Sequence, residues 1–442
     1  MKLRLFFTFS LLLPTFKVFP IDEFPFPKIW EQVVKNSPET KSILLEKESS
    51  DKSIDRLSRY WMPSLYANSQ IISTNDPTLT FMNYLGEGQV KQDDFITSHL
   101  NSPSNNVFNS TQIGVDFLLY DGGSRVSYLK SQSHYSKALD YEQKEILLKQ
   151  YMRTISEYSQ IILVQNYENE VTSIEKNLTS IIKNYHVGER SNPIGYSGLL
   201  SLKSIQNKIN SIKEEITSKI KISKKTLNLM SGNENMNWNT NSIPIEKFVS
   251  TYFFNPDESS KSYQFQAEIE KSNSINEKIT SDNAKYLPKV GVFSQANIYG
   301  GDRGVNPAYV LGAYLKFNFT PSDYGSAEET ALIAQAKKES AQALALSESI
   351  AKDISQQNIE SIKNKLVLLK NDENITDEQI KVLTKLFNNG NISMSQIADI
   401  LNKRIDLIIN KYSLKEVLLN SNLQLVSLTN KSVEPKDIWS LK

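Results

Sequence analysis

The chain has 442 residues, 39% of them hydrophobic and 22% charged, which excludes a disordered chain and leaves length for two or three ordinary domains. Lysines and arginines number 50 against 49 aspartates and glutamates, and the net charge of +1 argues against a general nucleic-acid binder. No cysteine is present, which excludes disulfides, thiolate metal sites, cysteine nucleophiles and a lipidated N-terminal cysteine. The three histidines, His99, His134 and His186, lie too far apart in sequence for metal-ligand spacing.

The first 20 residues read "MKLRLFFTFSLLLPTFKVFP". Lys2 and Arg4 precede an apolar run over 5–16, too short to span a bilayer and the right size for a secretory signal, so 1–20 are expected to be a signal peptide. No other window carries the roughly 18 uninterrupted apolar residues of a membrane helix. Export without a helical anchor leaves the periplasm, the outer membrane or the extracellular space.

The rest of the chain reads as two copies of one plan. "YWMPSLYANSQ" (60–70) resembles "KYLPKVGVFSQ" (285–295), each an aromatic residue and a proline leading into an alternating run. Gly123 and Gly188 are 65 residues apart, as are Gly325 and Gly390, and the two pairs are offset by 202. In chain order this predicts a first repeat over 21–232, with strands at about 65–72 and 111–119, a long helix at about 124–187 and a return helix at about 197–230. A linker follows over 233–259. The second repeat covers 260–430, with strands at about 290–299 and 309–319, a long helix at about 325–388 and a return helix at about 394–430, before a tail over 431–442.

The strands alternate with a period of two. Ile113, Val115, Phe117 and Leu119 share one face, against Gln112, Gly114 and Asp116. Leu311, Ala313, Leu315, Phe317 and Phe319 share another, against Gly312, Tyr314, Lys316 and Asn318. This fits strands with lipid on one side and water on the other, or one face of a soluble sheet. On the first reading Asp116 and Lys316 line a lumen, and Tyr309 and Tyr314 suit an interfacial aromatic girdle. The connection over 73–110 is long and polar; that around 299–307 is a short Gly/Pro loop.

The helices carry coiled-coil spacing. Val164, Tyr167, Val171, Ile174, Leu178, Ile181 and Tyr185 step by alternating threes and fours, and Leu202, Ile205, Ile209, Ile212 and Ile216 repeat this after a Gly/Pro turn. In the second half Ile397, Leu401, Ile405, Ile408 and Tyr412 form a return seam, while Glu373 and Thr376 interrupt the outgoing one. The Ala-rich run over 327–347 suits close helix approach, or is simply a good helix former. At 1.5 Å per residue, 65 residues make a rod of roughly 100 Å, a length suited to spanning a compartment. Four strands cannot close a barrel, which needs roughly eight or more, so other copies must complete it; three would supply about twelve.

Three features resemble the TolC-type outer-membrane efflux channel family. "GVDFLLYDGGSR" (114–125) is similar to the family's passage from strand to helix. The long connection over 75–115 resembles a branch whose loop carries Asp-Pro, Phe, Gly, Asp-Phe and Leu-Asn-x-Pro. The two helical turns, "YHVGERSNPIGYSGLLSLKSIQ" (185–206) and "LFNNGNISMSQIADILNKRIDL" (386–407), resemble the family's tips. The resemblance implies an α+β membrane protein: a homotrimer with a twelve-stranded outer-membrane β-barrel and a periplasmic tunnel of antiparallel coiled-coil helices. It also implies a tip that docks a periplasmic adaptor protein linked to an inner-membrane pump.

On that basis Gly188, Glu189, Arg190, Gly390 and Asn391 are candidate adaptor-docking residues, the two glycines also serving as turn residues. Asp121, Gly122, Gly123 and Gly325 mark the junction of barrel and tunnel, with Asp121 or Ser124 a helix cap. Family channels often place two acids on the second returning helix; the matching positions here are Gln396 and Asp399, so the candidate gate is Asp399 with Gln396 and Arg190. Arg190 is otherwise a solvated charge. "GYSG" (195–198) resembles a hydrolase nucleophile elbow, but Leu199 replaces its final glycine and the context is helical. No phosphate-binding loop or catalytic constellation is present. The expectation is a non-enzymatic export duct without cofactor or metal. A periplasmic coiled-coil adaptor or scaffold without a pore, or an exported structural rod, are the alternatives.

Overall fold

The computed structural model describes residues 25–185, 192–234, 238–240, 243–256 and 261–441. The expected signal segment lies outside the described residues. The chain divides into two compact units, one comprising 39–145 and 261–349, the other 1–38, 146–260 and 350–442.

The first unit holds the sheet. Its strands are β1 (Ser64–Thr74), β2 (Asn106–Tyr120), β3 (Lys289–Gly301) and β4 (Val305–Lys316), antiparallel throughout in the order β1-β2-β3-β4. Period-two alternation and β-branched residues make these segments strands, and one irregularity interrupts the β2–β3 ladder between Leu118 and Tyr120. Within the chain β1 and β4 each have one unpaired edge. β4 ends at Lys316, so Phe317 and Phe319 fall outside the strand on which they were expected. Its last partner is Lys289, the first residue of β3; the preceding Pro288 has no N–H with which to extend the ladder.

The long connection between β1 and β2 is folded. It contains α3 (Pro77–Gly86), a 3-10 turn over Gln92–Phe95 and α4 (Thr97–Asn101). The Asp76 carboxylate caps α3 by accepting from Leu79 N at 2.9 Å, and Pro77 sets its first turn. The helical part of this unit comprises α2 (Pro38–Leu57) and α8 (Tyr263–Asn283), together with the starts of α5 (Ser124–Lys183) and α9 (Ser326–Asn388). Small and polar side chains fill the spaces between these helices. Ala138, Ala267, Ala334 and Ala341 are buried, as are Ser127, Ser131, Ser272 and Ser274. Ser131 and Ser274 meet at 3.1 Å, Ser136 donates to Asp51 at 2.8 Å, and Ser272 donates to the Ala334 carbonyl at 2.9 Å. Small residues let helix backbones approach closely.

The second unit has an aliphatic seam. The later parts of α5 and α9 pack with α6 (Pro193–Met230) and α10 (Met394–Ser427). Val164, Val171 and Leu178 of α5 are buried with Leu202, Ile205, Ile209, Ile212 and Ile216 of α6 and with Ile397, Leu401, Ile405 and Ile408 of α10. An aromatic cluster closes another part of this unit. Phe26 of α1 (Phe26–Asn36) lies 5.6 Å from the rings of Tyr151 and Tyr158 and 5.5 Å from Phe248. Phe248 belongs to α7 (Ile245–Tyr252), a helix inside the segment expected to be a linker. The expected tail contains α11 (Pro435–Trp439), and nearby Val433 accepts from Trp30 Nε1 at 2.8 Å.

Glu373 and Thr376 are buried, 8% and 0% exposed. Glu373 can sit there because α10 supplies two cations: Arg404 Nη1 and Lys411 Nζ approach its Oε1 at 2.8 and 3.1 Å. Lys411 also meets Glu170 at 2.7 Å, which accepts from the Tyr412 hydroxyl at 3.0 Å. Tyr412 stacks on Tyr167 with ring centroids 4.3 Å apart. Burial, reinforced by Glu215, pushes the Tyr167 hydroxyl up to about 12.

Two outcomes follow from this packing. On one face of the sheet a Cβ at Gly114 would lie 2.4 Å from the Tyr66 ring. Gly114→Ala is therefore expected to cost about 1–3 kcal/mol by displacing that ring, read as a lower midpoint in thermal unfolding. In a Tyr66→Ala background the same substitution should cost little.

The second concerns Glu373. Burial works to raise its carboxyl, but hydrogen bonds from Arg404 and Lys411 more than reverse this and hold it below its ordinary value of 4.5. A carboxyl lowered by folding stabilises the protein above its unfolded pKa, and that contribution is lost as pH falls through the folded one. Glu373→Gln removes the charge that Arg404 and Lys411 share, leaving them Asp377 and Glu170, and should cost about 1–3 kcal/mol near pH 7. The gap between parent and variant midpoints should narrow as the pH falls below 4.5.

Candidate functional site: the two-faced sheet, its turns and the helical tips

The ladder sorts the strand residues onto two faces. Leu65, Val115, Ser294 and Leu311 form one row, and Ala67, Ile113, Ala296 and Tyr309 form another on the same face. This apolar face is the open one: Leu65 is 78% exposed, Leu311 77% and Tyr309 85%. The opposite face carries Gln112, Asp116, Gln295, Asn297 and Tyr314, all buried or half-buried. An antiparallel sheet in water covers its apolar face and wets its polar one. This sheet does the reverse.

Tyrosines laid over glycines build the polar face. Tyr66 crosses Gly114 of β2 and its hydroxyl donates to Gln295 Oε1 on β3 at 3.0 Å. From the other edge Tyr314 crosses Gly291 of β3 and donates to Asp116 Oδ1 on β2 at 3.0 Å. Asp116 and Lys316 both fall on this polar side, Lys316 opposite Lys289. Tyr309 is on the apolar face. Tyr314 is not, which corrects its expected place in an aromatic girdle; the Gly291 gap and the Asp116 acceptor hold it on the other side.

The β2-to-α5 turn is a fixed structure. Gly122 and Gly123 have φ of +75° and +86°, values that side chains disfavour. The Asp121 carboxylate accepts from Gly123 N at 3.1 Å and from Arg125 N at 3.0 Å, so Asp121 is the helix cap. Ser124 instead meets Ser281 at 2.8 Å. The Arg125 guanidinium donates to Asp121 at 2.9 Å, to the Leu118 carbonyl at 2.8 Å and to the Tyr60 carbonyl at 2.5 Å. Sequence reasoning passed over Arg125, although it ends the "DGGSR" motif. In the second passage Gly325 has φ +85° with open space about it.

Gly188, Glu189 and Arg190 lie outside the described residues. At the other tip Gly390 has φ +74°, its N–H bonds the Phe387 carbonyl and Asn391 N bonds the Leu386 carbonyl, both at 2.9 Å. That pattern is a glycine-terminated helix end. Gln396 accepts from Ser393 N at 3.1 Å and so caps the start of α10. Asp399, one turn further on, is exposed and lines an open groove with Gln396, Ile375, Val382 and Lys403. The structure thus brings Gln396 and Asp399 together. The "GYSG" glycines have packing roles: Asn192 caps Gly195 N at 3.1 Å, and a Cβ at Gly198 would lie 2.7 Å from that of Met394. Among the described residues no cluster of acids and histidines is arranged to hold a metal, and no helix is long and apolar enough to cross a membrane.

No protein-family model matches the sequence, and no curated protein matches it. Solved structures match its fold. CusC, described as forming a transmembrane channel, is 9% identical, with 92% of this chain and 92% of that chain covered and a TM-score of 0.72. VceC, an outer-membrane protein of Vibrio cholerae, is 10% identical over 92% of this chain and 97% of its own, with a TM-score of 0.69. The CmeC outer-membrane channel of Campylobacter jejuni is 11% identical over 94% and 89% respectively, with a TM-score of 0.65. The chain has the fold of the TolC-type outer-membrane channels.

Proposed function

We propose that this chain is the outer-membrane channel of a tripartite efflux or type I secretion system. The observation that carries the reading is the inverted sheet: its apolar face is exposed, the central polar side chains of its other face are buried or half-buried among themselves, and β1 and β4 each leave an edge unpaired. In a bilayer every unpaired backbone group costs several kcal/mol, so such a sheet must close on itself or on copies. Four strands are too few to close alone. Three copies give a twelve-stranded barrel with Leu65, Ile113, Leu311 and Tyr309 toward lipid and Asp116, Lys316, Gln112 and Asn297 toward the lumen.

The helices of the three copies then form a periplasmic tunnel whose tips close the pore at rest. The tips at Gly188, Glu189, Arg190, Gly390 and Asn391 dock the adaptor, which couples the duct to an inner-membrane pump. The duct does no chemistry and consumes no energy; it conducts passively what the pump delivers. Asp399, with Gln396 beside it and Arg190 on the other tip, contributes to the constriction. A ring of three carboxylates there favours cations.

The test is where the protein fractionates and what it conducts. Heat-resistant trimers in the outer-membrane fraction, and a detergent-purified protein that forms low-conductance, cation-preferring pores in planar bilayers, are the expected results. Asp399→Ala should leave the trimer intact and shift ion preference toward neutrality. Recovery as a monomer soluble without detergent would sink the channel and favour a periplasmic adaptor.

A further inference from the structure

The helix α3 is inside out. Its buried side presents Thr80 and Tyr84, with Glu87 buried just past its end, and its open side presents Leu79, Met82 and Leu85, 48%, 60% and 47% exposed. Phe95 and Ile96, in and just after the 3-10 turn, are exposed as well. A helix normally turns its apolar stripe inward, and a contiguous exposed apolar patch marks a contact surface.

The position of α3 decides what that surface meets. It lies on the polar face of the sheet. A Cβ at Gly86 would fall 2.9 Å from the Tyr299 ring, Asn306 Nδ2 donates to the Gly86 carbonyl at 2.9 Å, and Tyr84 packs on Phe108 with ring centroids 5.4 Å apart. Tyr299 and Asn306 pair directly, and Phe108 belongs to the same face of the ladder. These contacts are at the strand ends around Thr74, Asn106 and Gly301, opposite the ends that enter α5 and α9. The helix is clamped there. The Arg303 guanidinium grips the Asp94 carboxylate at 2.6 and 2.8 Å and lies 3.4 Å above the Tyr84 ring. Asp94 accepts in turn from Lys91 N at 2.7 Å.

We propose that the α3 helices of three copies meet across the barrel axis and close its outer mouth with an apolar ring of Leu79, Met82 and Leu85. This rests on the trimeric-barrel reading above. A sheet that closes with its polar face inward places everything on that face inside the lumen. The side of α3 away from the wall then faces the axis, and the apolar residues of each copy are covered by those of the others. A ring of this kind blocks ions and water by dewetting and carries no charge. It is built from a different segment of the chain than the helical tips, so the duct would be closed at two places.

The chain lacks cysteine, which makes the test direct. In purified trimers, Met82→Cys should be joined between copies by a short bifunctional maleimide, and Leu311→Cys on the lipid face should not. In intact cells, Gln112→Cys on the lumen face should react slowly with a bulky, membrane-impermeant maleimide added outside. Combining it with Leu79→Ser, Met82→Ser and Leu85→Ser should raise that rate several-fold. Neither readout depends on whether the helical tips are open. A heat-resistant trimer in which Met82→Cys does not crosslink and the labelling rate is unchanged overturns the outer ring and leaves the channel standing. Absence of the trimer removes both.

Discussion

The structure depends on one inversion: a four-stranded sheet that exposes its hydrocarbon and half-buries its central amides and carboxylate. In water this arrangement is unstable, because each exposed Leu or Tyr forgoes roughly 1.5–3 kcal/mol of burial. The polar rows show that it is built in. Tyr66 and Tyr314 enter from opposite edges, each crosses a glycine on the next strand, and each hydroxyl finds an acceptor one strand further on. A side chain at Gly114 or Gly291 would break this pattern, so the glycines serve the polar face directly. On the apolar face Ser69 and Thr111 meet at 2.9 Å, and Leu65, Ile113, Leu311 and Tyr309 stand open.

The helices of the two units solve their packing differently. In the unit with the sheet they meet through serine and alanine, with hydroxyl contacts at 2.8–3.1 Å in place of bulk. In the other unit an isoleucine and leucine seam provides the burial, and a single ionic group interrupts it. The Glu373 group adds little net stability compared with apolar residues of the same volume, since desolvation offsets its Coulomb gain. What it contributes is register. Arg404 and Lys411 are two turns apart on α10 and share one carboxylate on α9, while Asp377 accepts from Arg404 at 2.8 Å and Glu170 from Lys411 at 2.7 Å, so in this register every charge of the group is paired.

Much of this was legible in the sequence because it follows from periodicity. The alternation of 111–119 and the seam over 164–185 depend on local geometry, and the strands and helices stand where those patterns run. Three features were hidden for physical reasons. The helix α3 has ten residues with inverted polarity, in a segment punctuated by Pro77, Gly86 and Gly88, and so reads as a polar loop. The alternation of β4 runs on through Phe319, but strand length is set by the partner, and β3 begins only at Lys289. The pairing of Glu373 with Arg404 joins two helices, and the only local trace was an acid at a seam position. Of the candidate site residues, Asp116 and Lys316 are placed by alternation alone. The assignment of Gln396 came by distance from Gly390, and spacing of that kind does not show that its side chain caps a helix.

The two passages from strand to helix bear on closure. At the first, Gly122 is required twice over: φ is +75°, and a Cβ would lie 2.9 Å from that of Ala284. Arg125 then ties the turn to the Leu118 and Tyr60 carbonyls, so the direction in which α5 leaves the sheet is set within the chain. At the second, Gly325 needs only its positive φ, since a Cβ there would meet nothing within 4 Å, and the passage is held by the Tyr286 hydroxyl, which donates to the Asp323 carbonyl, and by Thr330, which donates to Asp282 at 2.6 Å. The difference matches the place of each strand. β2 is paired on both sides inside one copy, whereas β4 is an edge. The interior strand leaves through a turn in which both φ and space require glycine, the edge strand through one in which only φ does. In the trimeric barrel proposed above, β4 is the strand whose open edge would meet β1 of the next copy.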